Sequence, residues 1–202
     1  LFLWTGNPGL SKIVGMVYLP PSPGGMTPAD VLAFLDLCEQ HAINVCVDGG
    51  WGVDALLGYQ SRAHADLDVA LPHSNSVLVR TLLEARGFQE VPRDDSWECN
   101  YVMGDSHGRL IDIHTCTFDE SGKLVFGVDY PLDSLRGTGM IGGRPVKCIT
   151  PEWLVKFHTG YPLDDNDYRD VKLLCEKFGI PIPDEYRRFI QADRNPPAQR
   201  SE

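Results

Sequence analysis

The sequence predicts one α/β domain, and three observations lead to that prediction. The chain has 202 residues, of which 43% are hydrophobic and 23% charged, an ordinary globular composition with enough chain to bury a core. Apolar residues recur at helical spacing in some segments and alternate in others. A glycine-rich turn at residues 48–52 separates a short strand-like segment from a helix-like one. We therefore expect helices and strands to follow one another along the chain.

The first predicted helix, residues 28–41, follows a Pro- and Gly-rich stretch at residues 19–25 that is typical of a linker. Residues 1–25 are therefore interpreted as an N-terminal extension or loose tail. Thr27 supplies an N-cap and Pro28 occupies the first helical position, where proline is favoured. The apolar residues that follow at helical spacing complete the prediction.

The remaining elements are predicted from periodicity and from glycine or proline at their ends. In order they are a strand at 44–47, a short helix ending at Leu57 before Gly58, a strand at 65–72, a helix from Ser74 to Gly87, strands at 99–103 and 109–115, an irregular region at 127–145, helices at 150–158 and from 165 to Gly179, and a last helix from Asp184. The polar tail from 193 to 202 is expected to fray.

Charge and cysteine content exclude several classes of protein. The 18 basic and 28 acidic residues give a net charge of −10, whereas a duplex-binding protein needs a basic surface. No apolar run approaches the length of a membrane span, and the N-terminal segment lacks the pattern of a signal peptide. The six cysteines form no C-x-x-C pair, so we expect buried free thiols and a cytoplasmic protein.

Asp66 and Asp68 are the most informative pair in the sequence. Side chains at positions i and i+2 of a strand share one face, so both carboxylates point the same way while Leu67 and Val69 point to the core. Two carboxylates about 5 Å apart repel by about 3 kcal/mol at an effective dielectric of about 20. A fold that keeps such a pair usually places a cation between them, and oxygen ligands favour Mg²⁺ or Mn²⁺.

A third carboxylate, Asp112, lies between Ile111 and Ile113 on a second predicted strand. An aspartate there is costly unless it meets a polar partner or a metal ion. If the two strands pair, three carboxylates converge, as in sites that bind a divalent metal with a nucleoside triphosphate and activate a hydroxyl.

The glycine turn can supply a phosphate site. Gly49 and Gly50 follow a strand and precede a helix, so backbone N–H groups can face phosphate oxygens. Arg62 and His64 come just before the acidic strand and could neutralise phosphate charge.

A dinucleotide-binding fold is a competing interpretation. Residues 50–55 follow the pattern G-x-G-x-x-A, an acid follows at Asp68, and Tyr168 and Lys172 have the spacing of the pair in short-chain dehydrogenases. However, the chain has too few regular βα units after residue 88, and Lys172 lies too close to the C-terminus. An NAD-dependent oxidoreductase also leaves two of the three carboxylates unexplained.

The sequence strongly resembles the small antibiotic nucleotidyltransferases of the DNA polymerase β-like superfamily. The likeness is closest to the lincosamide nucleotidyltransferases and more distant to the aminoglycoside 2″-adenylyltransferases. It covers about residues 27–178 and leaves residues 1–25 outside. The segments that carry it are 48–58 (DGGWGVDALLG), 62–68 (RAHADLD), 110–114 (LIDIH), 146–149 (VKCI), 157–161 (FHTGY) and 170–173 (DVKL).

The resemblance implies a nucleotidyltransferase domain at residues 26–192. A mixed, twisted sheet with flanking helices, about residues 44–116, would carry the acids, and a mostly helical part with some β structure, 117–192, would follow. The implied reaction moves a nucleoside monophosphate from a nucleoside triphosphate, expected to be ATP, to a hydroxyl of a lincosamide-like or aminoglycoside-like antibiotic.

The resemblance also assigns residues. Asp66 and Asp68 would hold Mg²⁺, and Asp112 would share a metal or act as the general base. The implied nucleotide-binding group is Gly49, Gly50, Arg62, His64 and Lys172, and the implied substrate-binding group is His114, His158 and Tyr161.

For several of these residues a purely structural role stays open. His64 could serve only as a hydrogen-bond partner beside the acidic strand, Lys172 could be a solvent-exposed lysine, and His114 could orient Asp112. Outside these groups, Trp51 is expected in the core and Asp54 on the helix surface or at its cap. The acids at 164–170 are expected to be a cluster at a helix N-terminus.

Two other functions are weighed. The same fold could modify a protein or a tRNA, as toxin–antitoxin nucleotidyltransferases do, although the net charge of −10 disfavours tRNA. The chain could also be a non-catalytic binding module, which the retained acid cluster disfavours because unused, repelling carboxylates cost stability.

Overall fold

The computed structural model describes residues 25–194. The predicted N-terminal extension and most of the predicted C-terminal tail therefore lie outside the described residues. In chain order the elements are α1 (Pro28–Gln40), β1 (Cys46–Val47), α2 (Gly49–Leu57), β2 (Asp66–Pro72), α3 (Ser76–Glu84), β3 (Gln89–Val91), β4 (Asn100–Gly104), β5 (Leu110–Phe118), β6 (Leu124–Gly127), β7 (Gly137–Ile141), β8 (Arg144–Cys148), α4 (Pro151–Phe157), α5 (Asp165–Phe178) and α6 (Arg187–Arg194).

The strands form one mixed sheet, which confirms the α/β prediction. The strand order is β3-β4-β5-β2-β1-β8-β7, and β6 pairs with β5 outside that path. β2 runs parallel to β5, and β1 runs parallel to β8. The acidic strand β2 therefore lies near the middle of the sheet, where its neighbours hold it on both sides.

Local sequence signals set the helix ends as expected. Thr27 caps α1 in a capping box with Asp30, and Asp164 caps α5 in the same way with Asp167. Gly58 ends α2 with a φ of 84°, a left-handed conformation that favours glycine. Because α2 contacts β2, β7, α4 and α5, its residues from Gly50 to Leu57 are all buried.

The region 127–145, predicted as irregular, instead contains the hairpin of β7 and β8. Gly142 and Gly143, with φ values of 56° and 81°, form the two-residue turn that joins antiparallel strands. Two glycines in β7 and a proline in β8 interrupt the apolar–polar alternation from which a strand is predicted. The strands β3 and β6 were also missed, and β1 is shorter than the predicted strand.

The last helix also differs from the prediction. α6 continues to Arg194, past the predicted start of the frayed tail, because Asp193 accepts hydrogen bonds from Tyr168 and Lys172 of α5.

The cysteine prediction is confirmed, since all six are buried and free. Among the helices of residues 25–194, none has both the length and the apolar character needed to span a lipid bilayer.

Candidate active site on the acidic face of the sheet

Three carboxylates lie on one face of two neighbouring strands, as the alternation predicted. β2 pairs with β5 in parallel register, which sets Asp68 directly beside Asp112 and Asp66 one pleat away. Leu67 and Val69 point to the opposite face, where both are fully buried. The register thus brings together acids that lie more than forty positions apart in the chain.

Nearby cationic groups compensate only part of the charge on this face, since Arg62 and Arg93 lower the pKa of Asp66 by less than burial and Asp112 raise it. Burial, together with the carboxylates of Asp66, Asp48 and Asp112, raises the pKa of Asp68 to about 8. Burial and Asp112 likewise raise the pKa of Asp66. These carboxylates favour a bound proton or a bound cation because they repel one another in a partly desolvated place.

The glycine turn lies directly against the acids. Asp48 caps α2 by accepting a hydrogen bond of 2.8 Å from the Gly49 N–H. Gly49 has a φ of 54°, and a Cβ there would collide with the Asp68 carboxylate. A Cβ on Gly50 would lie 2.7 Å from Nη2 of Arg62. Only glycines let the N-terminus of α2 approach the acidic strand this closely.

A cleft of about 470 Å³ opens over this face and collects most of the predicted ligand-binding residues. Its walls also include an exposed acid, Asp129, which the sequence did not single out. The lining residues are Asp48, Gly49, Gly50, Arg62, His64, Asp66, Asp68, His114, Val128, Asp129, Tyr130, Phe157, His158 and Tyr161.

Arg62 joins the cleft to helix α5. Its Nε and Nη2 donate to the Asp170 carboxylate at 3.1 and 2.7 Å. Asp170 is fully buried, so it is not one of the exposed acids expected at a helix N-terminus. Burial alone would lower the pKa of Arg62, but the hydrogen bonds to Asp170 raise it. The guanidinium therefore stays charged beside Gly50.

His64 is anchored on the side of the ring that faces away from Gly50. Its Nε2 lies 2.5 Å from Oδ2 of Asp54, and Oδ1 of Asp54 accepts hydrogen bonds from Ser61. Asp54, expected on the helix surface or at its cap, is instead 2% exposed. Trp51 is buried as expected, and its ring lies 4.7 Å from the His64 ring. Asp54 thus fixes the orientation of His64 against the glycine turn.

A chain of hydrogen bonds in the floor of the cleft runs from Asp48 through Tyr130 to His114. Tyr130, which the sequence did not single out, donates from its hydroxyl to Oδ2 of Asp48 at 2.6 Å. The same hydroxyl lies 2.8 Å from Nδ1 of His114, and Nε2 of His114 lies 3.4 Å from Oδ1 of Asp112. Burial alone would lower the pKa of His114, but the carboxylates of Asp112, Asp48 and Asp68 raise it.

The other predicted ligand-binding residues are placed differently. His158 lines the cleft, although its Nδ1 contacts the Leu154 carbonyl at 2.8 Å. Tyr161 also lines it and donates to Asp167 at 2.8 Å. Lys172 is not brought to the cleft, because its ammonium binds Asp193 at 2.7 Å on an exposed surface.

The acidic face fits a divalent metal. Asp112 Oδ1 is buried and accepts no hydrogen bond from the residues that the structure describes. Within residues 25–194, however, no group of three or more His, Cys, Asp or Glu side chains is arranged to hold a metal ion by itself. Mg²⁺ is commonly bound by one or two carboxylates together with substrate phosphates and waters. Asp66 and Asp68 with a triphosphate would meet that requirement.

A second cavity of about 430 Å³ lies further along the same strands. Cys46, Ala70 and Cys116 line it, two positions along their strands from Asp48, Asp68 and His114. None of its lining residues, all within the described chain, carries a carboxylate. Carboxylates and a guanidinium, the groups that could hold a metal and a triphosphate, line the first cleft instead.

The comparisons with known proteins agree with the resemblance found in the sequence. Residues 30–174 match the family model of the aminoglycoside-2″-adenylyltransferases. A lincosamide resistance protein of Staphylococcus haemolyticus is 32% identical over 158 residues, which covers 74% of this chain and 94% of that protein. A 2″-aminoglycoside nucleotidyltransferase of Escherichia coli is 22% identical over 122 residues, or 60% of this chain and 66% of that protein.

A solved structure has the same fold. The crystal structure of a lincosamide antibiotic adenylyltransferase with lincomycin bound superimposes with a TM-score of 0.66 at 26% identity. The match covers 78% of this chain and 99% of that chain, which confirms the predicted nucleotidyltransferase fold. On the family model and these relatives, the chain belongs to the aminoglycoside-2″-adenylyltransferase family of antibiotic nucleotidyltransferases.

Proposed function

We propose that this chain transfers a nucleoside monophosphate from ATP to a hydroxyl of a lincosamide-like antibiotic and so inactivates the drug. The observation that carries the proposal is the set of three carboxylates on two paired strands, beside the N-terminus of the Gly-Gly helix. That arrangement suits a reaction in which a triphosphate is held and a hydroxyl is activated next to it.

The proposed roles follow from the chemistry of each group. N–H groups at the start of α2 and the guanidinium of Arg62 bind phosphate oxygens. Asp66 and Asp68 hold Mg²⁺, or Mn²⁺ in its place, which neutralises charge on the triphosphate when bound. Asp112 takes the proton of the acceptor hydroxyl as the hydroxyl oxygen attacks the α-phosphorus. The bond from that phosphorus to the bridging oxygen breaks, and pyrophosphate leaves.

The choice of acceptor rests on the relatives. The lincosamide resistance protein is matched over 94% of its length at 32% identity, against 22% identity for the aminoglycoside enzyme. An aminoglycoside is the second candidate, because exposed Asp129 and the acids of the cleft could receive its ammonium groups. We propose no nucleic-acid partner, given the net charge of −10, and a reducing, cytoplasmic setting, given six free thiols.

The test is a panel assay. The protein is incubated with each nucleoside triphosphate in turn, with Mg²⁺, and with lincosamides and aminoglycosides, and the products are weighed by mass spectrometry. The proposal expects one nucleoside monophosphate to be added to a lincosamide, fastest with ATP, and no addition by Asp68→Asn. Addition to an aminoglycoside alone would move the function to the second candidate, and no addition to any drug would contradict both.

A further inference from the structure

Arg62 uses part of its guanidinium to bind α5 and keeps the rest for a ligand. A guanidinium carries five N–H bonds and can only donate. The Nε–H and one N–H of Nη2 donate to the Asp170 carboxylate at 3.1 and 2.7 Å, and one N–H of Nη1 donates to the Ala63 carbonyl at 3.2 Å. Among the described residues, one N–H on each of Nη1 and Nη2 therefore has no acceptor.

The Nη2 end of the guanidinium lies beside the glycine turn. A Cβ on Gly50 would be 2.7 Å from Nη2 of Arg62, and both residues line the cleft. Gly50 also belongs to the first turn of α2, where backbone N–H groups lack partners within the helix. Donors from Arg62 and from α2 therefore meet at one place, as a phosphate group requires.

The two partners of this ion pair are held with unequal firmness. Asp170 is 1% exposed, and its neighbours on α5, Val171 and Leu174, are fully buried, so core packing fixes the backbone that carries the carboxylate. Arg62 instead lies in the connection between α2 and β2, outside any helix or strand, and its side chain is 21% exposed. A long side chain there has many rotamers, and an ordering contact selects one of them. Asp170 is therefore the fixed partner.

We propose that Asp170 is a positioning residue that orients the Arg62 guanidinium so that its two remaining Nη hydrogens point at the triphosphate beside Gly50. The inference rests on the proposed function for the identity of this ligand, but it does not depend on the acceptor. Two N–H bonds to one carboxylate fix the plane of the guanidinium, which a single hydrogen bond would leave free to rotate. Helix α5 thus contributes to the nucleotide site through Arg62.

Asp170→Asn separates this role from its alternatives by the sign of the effect. Asparagine is nearly isosteric, but its NH₂ group cannot accept from the guanidinium, so the bidentate pair is lost. If Asp170 acted only through its charge, its removal would tighten the binding of an anion. If it served only stability, the affinity of the folded variant would not change. The positioning role alone predicts weaker binding although a negative charge has been removed.

The experiment is a calorimetric titration with Mg²⁺ and a non-hydrolysable triphosphate, without any drug. We expect affinity to fall at least about tenfold in Asp170→Asn, the loss typical of a hydrogen bond to a charged group. Arg62→Gln should lose at least as much. Adding Asp170→Asn to Arg62→Gln should then change affinity by less than about twofold, because the positioned group is gone. Affinity in Asp170→Asn equal to or above that of the wild type would overturn the inference, as would full additivity of the two substitutions.

Asp105→Asn is the matched control. The Asp105 side chain is 5% exposed and accepts from Nε of Arg109 at 2.7 Å, a pair of the same kind whose two residues do not line the cleft. Its loss should leave triphosphate affinity within about twofold of the wild type. An equal loss of affinity in the control would mean that any broken ion pair weakens the site, and it would overturn the inference.

NMR on the wild type keeps the inference falsifiable even if Asp170→Asn does not fold. The Nε–H signal of Arg62, assigned by its loss in Arg62→Lys, should exchange slowly with water because it donates to a buried carboxylate. It should also shift when Mg²⁺ and the triphosphate are added. Exchange as fast as that of an exposed arginine, or a signal that does not respond to the triphosphate, would overturn the inference.

Kinetics show the consequence for transfer. KM for the triphosphate should rise at least about tenfold in Asp170→Asn while KM for the drug stays within about twofold, and equal rises in both would overturn the positioning role. A wild type that binds the triphosphate but modifies no drug would instead refute the proposed function, while the titrations would still decide the role of Asp170.

Discussion

Replacing Asp68 by asparagine should make the metal-free protein more stable and leave it unable to transfer nucleotide. Asp68 and Asp112 are register partners on adjacent strands, which lie about 5 Å apart. Two charges at that distance repel by about 3 kcal/mol at an effective dielectric of about 20. Water and ions in the open cleft screen much of this, so the expected gain in unfolding free energy is about 1 kcal/mol.

The same variant should change the dependence of stability on pH. The pKa of Asp68 is raised to about 8 in the folded chain, against about 3.9 for an unfolded aspartate. Between these values the folded state binds a proton that the unfolded state does not, so stability falls as pH rises through that window. Asp68→Asn removes this loss, and its advantage over the wild type should be smallest near pH 4 and largest above about pH 8.

Paired thermal melts of the wild type and Asp68→Asn test this expectation. In EDTA at neutral pH, Asp68→Asn should melt about 2–4 °C above the wild type, whereas Glu120→Gln, which removes one charge from an exposed turn, should not. Mg²⁺ with a triphosphate should raise the wild-type melting point by mass action and raise that of Asp68→Asn much less. The account of the acidic face would be refuted if Asp68→Asn melted below the wild type in EDTA and if Mg²⁺ with nucleotide raised the melting points of both proteins equally.

Two further predictions concern the elements around the acids. Asp170→Ala should lower the unfolding free energy by about 2–3 kcal/mol in urea titrations, because it leaves the partly buried Arg62 guanidinium without its carboxylate partner; a change below 1 kcal/mol would show that the ion pair does not hold α5. Gly49→Ala should cost at least about 1 kcal/mol, since φ is 54° and the new methyl group meets the Asp68 carboxylate. Calorimetry should also show weakened triphosphate binding in Gly49→Ala, and unchanged affinity would contradict a phosphate role for this turn.

Local patterns in the sequence predicted part of the acidic face. Alternation along β2 placed Asp66 and Asp68 on one side, and the glycine turn marked the start of α2. Asp112 was expected to join them only if the two strands pair, and the parallel pairing of β2 with β5 meets that condition. These features depend on a periodicity of two and on residues close together in the chain. The structure has this arrangement because the opposite face of the same strands must be apolar to form the core.

The contacts that orient the site could not be predicted in this way. Asp170 meets Arg62 from 108 positions away, and nothing local distinguishes it from the exposed acids that cap α5. Tyr130 meets Asp48 from 82 positions away and lies in a stretch predicted as irregular. Lys172 was assigned to the nucleotide but binds Asp193, because α6 folds back along α5. Long-range pairing of polar side chains depends on tertiary packing and has no period in the sequence.

The most direct test of the central claim, that the acidic face performs the transfer, is the rate of nucleotide addition to lincomycin by Asp112→Asn with saturating ATP and Mg²⁺. Calorimetric titration with a non-hydrolysable triphosphate shows in parallel whether the nucleotide still binds. With Asp112 as the general base, we expect nucleotide affinity close to that of the wild type and transfer reduced at least about a hundredfold; a joint loss of Mg²⁺-dependent affinity would make it a metal ligand instead. Transfer by Asp112→Asn at the wild-type rate would remove Asp112 from the site and contradict the account.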